Sequence, residues 1–513
     1  MKLLGCKIDT KHELKTAFKH PVDKYDMAVF LDPVHMFKLV RNHWESKKVI
    51  LDSNNNKIDW NLLCQLNKLQ EDEGLHFANK ITRRHIMFRN NIMKVKLASQ
   101  VLSTSVATAL KFCRENAKLT TFKNSEPTEH FVRNMNNLFD VFNSRNMKQF
   151  DYKQPLYSRN KDFIFTFLNL MKTYIRELKI KQATKRKIDK EGKKVQVILQ
   201  SFKPILECSC KTGFLGILIG IESLQSLYIS LVEEDNMLVF IPSYKYCQDH
   251  LELLFGMMRM HGGHNNNPNA KQFKGIYRKV LCNLEIKASD NGNCIPLESI
   301  GVLNCSSSIK VINGSAQLQK LQEEQLCNDS ITITETCSSV VKFLSTELPD
   351  LHDLNRYIVG YISGSVAHYL LKVIKCEFCI DALQASDVLW FHKLISLKNR
   401  GGLCFPSQSL YDVCCICEAH VRRIVHEDFV VTSNTQRLAI VLQIFKKILG
   451  NCGIFIFEEN HVNDQIHKNS LIRAVIEKYL DIRLHHVSKC KTLKIIPDSK
   501  RQYYNKLTQQ KGT

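Results

Sequence analysis

Apolar residues recur at three- and four-residue spacing through most of this chain. The pattern predicts helices over His35–Trp44, Leu62–Leu69, Met93–Phe112, Thr128–Phe142, Asp162–Leu178, Leu215–Leu231 and Phe273–Leu281. One early segment departs from it. Met27-Ala-Val-Phe-Leu-Asp32 is an apolar run closed by an acid, and Pro33 then blocks further ladder pairing, so this segment is predicted to be a buried strand ending at Asp32. An acid at a strand end is well placed for chemistry, because strand ends open into the crevice of an α/β fold. Lys179–Lys194 is charged and poor in large apolar residues, and is expected to be an exposed loop. Residues 286–340 are rich in Ser, Asn and Cys with weak periodicity and read as a connector, and residues 341–513 turn helical again. The predicted class is α/β plus α.

Composition narrows the partners. Lys and Arg total 72 against 50 Asp and Glu, a net charge of +22. Such a balance favours a polyanion, most commonly nucleic acid. Lys185-Arg-Lys187 with Lys190, Lys193 and Lys194 has the make-up of a nuclear-import signal and equally of a solvated loop. The first ten residues lack the apolar core of a signal peptide. The run Phe214–Ile221 is too short to span a bilayer. The 19 cysteines are therefore expected to be reduced thiols in an intracellular protein.

Three carboxylates stand out. Asp249 and Glu252 lie three residues apart on an apolar helical segment, so both point to one face, and a Gly262-Gly263 turn with an Asn run then stops the helix. Such a pair can hold a divalent metal or share a proton. His261 and His264 flank this turn and are read as turn residues. The string from Gln248 to Phe273, QDHLELLFGMMRMHGGHNNNPNAKQF, closely resembles the end of the catalytic domain of P-element-type DNA transposases, a family that includes animal proteins with an N-terminal THAP zinc domain. VFLDPVHMFKLVRNHW, Val29–Trp44, resembles that family's segment with the second catalytic Asp.

The resemblance implies an RNase H-like domain interrupted by a mainly helical GTP-binding insertion and followed by a mainly helical C-terminal region. The implied divisions are 1–45 and 206–285 for the two RNase H-like parts, 46–205 for the insertion, 286–340 for a connector and 341–513 for the C-terminal region. It carries the catalytic and metal-binding roles onto Asp32 and Glu252, with Asp249 as an acidic neighbour and Mg²⁺ as the metal. In such a site two ions activate the attacking oxygen and stabilise the leaving one. The resemblance also calls for an earlier catalytic Asp and an N-terminal zinc module. Asp9, Asp23 and Asp26 lie too close to Asp32 to supply the missing strand and hairpin, so the RNase H-like domain is expected to be incomplete and the chain alone poor at strand cleavage. The alternative is a non-enzymatic protein that binds DNA or nucleotide, or assembles with a partner or with itself.

No G-x-x-x-x-G-K-[ST] occurs, so a nucleotide would not sit on a P-loop. An Asp can instead accept from the guanine N1–H and exocyclic amine, an aromatic ring can stack on the base, and Lys can meet phosphate. Leu75–Thr82, Met93–Val106 and Asn137–Arg145 resemble the family's GTP-binding signatures. By that resemblance Phe139 and Asp140 read the base with Asn143 beside them, and Lys80, Lys96 and Ser105 are further contacts. The expected partners are transposon-end DNA and GTP, in the nucleus. Cys376-Glu-Phe-Cys379 is a single C-x₂-C; Cys414, Cys415, Cys417, His485, His486 and Cys490 have no persuasive spacing to complete a zinc site, and buried thiols are the expectation. Tyr357–Gly364 and Gly401–Ser407 resemble the family's C-terminal region, which helps hold DNA ends.

Overall fold

The computed structural model describes residues 4–8, 14–78, 80–190, 193–262, 265, 267–282, 351–426, 434–449, 453–456 and 464–495. The segment expected to be a connector lies outside them, as do Gly263, His264 and Asn266. Two compact units divide the described chain. The first takes the chain to Asn67, Ala78–Arg114, and Leu119 through Cys282; the second takes Lys68–Phe77, Glu115–Lys118 and the chain from Leu351.

The first unit opens with a short antiparallel pair, β1 (Ala17–Lys19) and β2 (Asp26–Ala28), with Phe18 opposite Met27. The strand expected to run to Asp32 stops early. Asp32 is instead the N-cap of α1 (Pro33–Lys47), accepting from the backbone N–H of Val34 at 2.9 Å and of His35 at 3.3 Å. The reason is local: Pro33 at the first helical position lacks an N–H that would go unpaired anyway, and an Asp just before it satisfies the next donors.

Helix α1 is the axis of this unit. Its Trp44 is fully buried, edge-on to Trp60 at 5.1 Å and to Phe131 at 5.1 Å, and donates its indole N–H to the Ile58 carbonyl at 3.1 Å. Strands β3 (Val49–Leu51) and β4 (Lys57–Asp59) form a hairpin behind it, followed by α2 (Asn61–Glu73) and the short α3 (Arg83–Ile86). The single helix expected over 93–112 is two, α4 (Val95–Val101) and α5 (Thr104–Glu115). Helix α6 (Glu126–Phe142), the two-residue β5 (Leu156–Tyr157) and α7 (Lys161–Glu177) complete the helical block.

Lys179–Lys194 is not a loop. It belongs to a long antiparallel hairpin, β6 (Lys179–Lys190) and β7 (Lys193–Pro204), which joins the hairpin of α1 in the order β4-β3-β6-β7. The charge hides the strand signal: Val195, Val197 and Leu199 alternate in β7, a period of two that is independent of what the intervening residues are.

Helix α8 (Thr212–Tyr228), continued to Glu234, is long and apolar enough to cross a membrane. Phe214, Ile217, Leu218, Ile219, Ile221 and Leu224 are nonetheless buried against protein. It can approach α1 closely because Gly213 has no side chain: a Cβ there would sit 3.0 Å from the Met36 carbonyl and the Val40 nitrogen. Strand β8 (Phe240–Ile241) pairs with β5, and α9 (Asp249–His261) and α10 (Ala270–Cys282) follow, packing through Met257, Met258, Ile276 and Val280.

The second unit is helical among its described residues: α11 (Asp353–Leu370), α12 (Glu377–Leu383), α13 (Lys393–Lys398), α14 (Gln408–His426), α15 (Asn434–Leu449) and α16 (Asp464–Ile495). Its core gathers Val359, Val366, Leu410, Val413, Val421, Ile472, Val475 and Tyr479. Phe391 stacks on Tyr411 at 3.8 Å and 7°.

Candidate functional site

Asp32 and Glu252, 220 positions apart, reach the two sides of one imidazole. His35 sits in the first turn of α1, with Nδ1 on the Asp32 Oδ2 and Nε2 3.4 Å from the Glu252 Oε1. Asp32 is buried, while His35 and Glu252 are partly exposed. Burial pushes the Asp32 carboxyl up, but the hydrogen bond and charge of His35, with the backbone N–H groups of His35 and Gln248, outweigh it and hold it below its usual range. The Asp32 hydrogen bond raises His35 against an opposing cost of burial. Lys38, one turn further along α1, is buried, which lowers its ammonium; Glu252 and Asp32 partly counter that.

The next turn brings Arg41, fully buried, its guanidinium 3.6 Å above the Phe88 ring and one N–H donated to the Ile92 carbonyl at 3.1 Å. Burial pushes it down to about 10. His35, Lys38 and Arg41 thus follow one another at three-residue spacing along α1, the first two beside the carboxylates and Arg41 nearer Glu45. The spacing follows from the helix predicted over His35–Trp44, but the convergence of Asp32 and Glu252 on His35 does not, since Glu252 arrives from a helix 220 positions beyond Asp32.

Asp249 opens α9 and lies beside Cys247, whose thiol burial raises to about 11 and which also feels the charges of Asp249, Asp32 and Arg145. The donor set has the chemistry for Mg²⁺, since carboxylate oxygens suit a hard cation. Geometrically, one oxygen of Asp32 is taken by two backbone N–H groups, and His35 occupies the space between the other and Glu252. Direct ligation by both acids requires this ring to swing aside.

The candidate nucleotide residues sit at the end of α6. Phe139 meets Phe37 of α1 edge-on at 5.4 Å. Asp140 accepts from the Asn136 amide at 2.9 Å, and the Asn136 oxygen accepts from the Thr104 N–H at 3.0 Å, which caps α5 one residue before Ser105. Asn136, unmarked in the sequence, is what joins Ser105's helix to Asp140. Asn143 ends α6 and accepts from Arg145 Nη2 at 2.9 Å, and Arg145 lies over the Tyr244 ring at 5.3 Å. Ser144 and Ser243 share a buried hydroxyl hydrogen bond at 2.8 Å, tying this end of α6 to the segment that leads into α9. Lys80 and Lys96 are exposed, on a turn before α3 and on the first turn of α4.

Comparison with known proteins accounts for these parts. Residues 34–155 match the TNP-like GTP-binding insertion domain, 244–278 the TNP-like RNase H C-terminal domain, and 344–489 the C-terminal domain of DNA transposase THAP9. Over 514 residues the chain is 31% identical to human DNA transposase THAP9, covering 95% of this chain and 52% of the relative. It is 28% identical over 364 residues to the Transposable element P transposase of Drosophila melanogaster, covering 68% and 42%. A chain of the Drosophila P element transposase strand transfer complex is 29% identical, with 55% of this chain and 56% of that chain covered and a TM-score of 0.43. The chain spans about half the length of the curated relatives it matches.

An RNase H-type C-terminal segment, a GTP-binding insertion and a helical C-terminal domain together define an RNase H-like transposase architecture. The chain belongs to the THAP9/P-element transposase family.

Proposed function

We propose that this protein acts on DNA as a P-element-type transposase, with GTP as a cofactor held by the insertion and Mg²⁺ held at Asp32 and Glu252, and that it works in the nucleus. The observation that carries the reading is the convergence of these two acids from opposite ends of the first unit onto His35. Its net charge of +22 suits a DNA partner.

In this reading Asp32 and Glu252 each contribute an oxygen to the metal, which would polarise a phosphodiester and lower the pKa of a bound water. Asp249, on the first turn of α9 with Glu252, adds a further acid to the site. Lys38 adds positive charge next to the acids. Phe139 and Asp140 recognise guanine, Asn143 supports them through Arg145, and Ser105, Lys96 and Lys80 serve the phosphates. A two-metal site calls for a further acidic ligand beyond Asp32 and Glu252.

A second reading is a non-enzymatic DNA- and nucleotide-binding protein, favoured by the imidazole that lies between the carboxylates. The test is nicking of supercoiled DNA in Mg²⁺ or Mn²⁺, alongside Mn²⁺ binding, for the wild type, Asp32→Asn and Glu252→Gln. Metal-dependent nicking lost in both variants supports the transposase reading. Mn²⁺ binding lost in both variants, without nicking in any sample, supports the second. Mn²⁺ binding indifferent to both substitutions overturns the metal assignment.

A further inference from the structure

We propose that Cys376, Cys379 and His467 form a zinc site in the second unit. The C-x₂-C opens α12: Cys376 is its N-cap and Cys379 lies in its first turn, so three-residue spacing places both sulfurs on one side. His467 comes from the first turns of α16, 88 residues beyond Cys379. The two sulfurs and one imidazole nitrogen all lie within 4.8 Å of one another, and the Cys379 Sγ is 3.8 Å from the His467 Nδ1. Tetrahedral zinc with bonds of about 2.3 Å to sulfur and about 2.0–2.1 Å to nitrogen sets sulfur–nitrogen separations of about 3.6 Å and sulfur–sulfur separations of about 3.8 Å. The Cys379–His467 distance is already within a few tenths of an ångström of that, and the remaining pairs lie within 4.8 Å, about 1 Å from the values a bound ion sets.

The donor chemistry selects the ion. Two thiolates and an imidazole suit borderline-soft Zn²⁺ and discriminate against Mg²⁺ and Ca²⁺, which take oxygen. Cys379 is buried, and Cys376 and His467 are partly exposed, so the fourth position is open to water or a further donor. Neither thiol is in a disulfide. The site would pin α12 to the start of α16, two helices that also contribute Cys379, Leu383, Leu471 and Ile472 to one core. It is distinct from the carboxylate site of the first unit and uses none of its residues. The sequence could not show it, because the third ligand has no spacing rule linking it to a C-x₂-C so far away; only the packing of α12 against α16 brings it in.

The test uses the whole chain, with any affinity tag removed. The untagged protein is equilibrated with Zn²⁺, passed over a chelating resin, and its retained zinc measured; a parallel sample is loaded with Co²⁺ and its absorption recorded. The expected result is one retained zinc per chain and a thiolate-to-cobalt charge-transfer band in the near ultraviolet. Cys376→Ser and His467→Ala should each lose the retained zinc, and Cys376→Ser should also reduce the band. His485→Ala, an exposed residue of α16, should behave as wild type. If the serine and alanine variants do not fold, Cys376→His and His467→Cys, which keep a zinc donor at each position, decide instead: both should retain zinc, and the cobalt thiolate band should weaken in the first and strengthen in the second. A wild type that retains no zinc, a cobalt spectrum without the thiolate band, or folded serine or alanine variants that keep their zinc would each overturn the proposal.

Discussion

Removing the charge of Glu418 should unfold the second unit far more readily than its size warrants. Glu418 of α14 is fully buried and takes a two-pronged contact from Arg483 of α16, Nε to Oε2 at 2.7 Å and Nη2 to Oε1 at 2.9 Å. The Tyr479 hydroxyl donates to the same Oε2 at 2.8 Å, and Arg422 approaches Oε1 at 3.4 Å. Arg483 is also buried and donates its remaining arm to the Gly74 carbonyl at 2.9 Å, while Arg422 reaches Glu73 at 3.3 Å, so one carboxylate organises three segments. Glu418→Gln leaves a guanidinium buried without its anion, a loss of about 3–5 kcal/mol. Replacing Glu418 and Arg483 with Met and Tyr479 with Phe removes every member of the inner cluster together. Such a swap should cost clearly less than the single substitution, because Arg422 keeps its contact with Glu73 and the main group left short of a partner is the Gly74 carbonyl. The assay is hydrogen exchange of peptides from α14 and α16 at graded urea, which reads this unit separately from the first, as a two-unit chain need not unfold in one step. A Glu418→Gln cost within about 0.5 kcal/mol of an exposed substitution, or a triple variant as unstable as the single, would refute the reasoning.

Four further outcomes follow from the geometry. Asp32→Ala should cost about 0.5–2 kcal/mol through loss of the α1 cap, whereas Asp32→Asn, which can still cap, should cost less; urea midpoints compare the two. Gly364→Ala should cost about 1–3 kcal/mol, because the new Cβ would lie 2.7 Å from the Cys404 carbonyl, and Gly360→Ala should behave alike against the Phe391 carbonyl at 2.7 Å; thermal unfolding checks both. Lys398 donates to the Phe77 carbonyl and lies 4.3 Å from the Tyr361 ring, and burial pushes its ammonium down to about 7. Its folded value is then below the unfolded value of about 10.4, so the unfolded chain holds more protons between those limits and stability rises with pH across that window. The stability of Lys398→Met relative to wild type should therefore be most favourable near pH 7 or below and decline toward pH 10, read from urea titrations. Asn136→Ala should cost about 1 kcal/mol through the lost α5 cap and should loosen Asp140, seen as faster exchange in the first turn of α5.

Helical periodicity carried most of the fold into view, because the apolar faces of α1, α6, α7 and α8 are decided by local spacing. It failed where a single residue had two local uses. Asp32 before Pro33 reads as the stop of an apolar strand and serves as the start of a helix, and the cap geometry decides between them. It failed again at β6 and β7, where lysines mask alternation and the pairing partner is the hairpin of β3, more than a hundred residues earlier. The carboxylates Asp32 and Glu252 were legible as acids in distinctive strings, but the imidazole of His35 between them depends on the packing of α9 near α1, which no local spacing shows. Asn136 and His467 carried no local mark, since each acquires its place from a contact between helices distant in sequence.

The most direct test of the account is the affinity of the purified chain for GTP and ATP in Mg²⁺, measured for wild type and Asp140→Ala. A carboxylate accepting from two guanine donors contributes about 1.5–3 kcal/mol, so the account predicts GTP-selective binding that falls about tenfold to a hundredfold in Asp140→Ala, with ATP affinity little changed. Folded wild-type protein that does not bind GTP, or that binds it equally well after the substitution, would contradict the assignment.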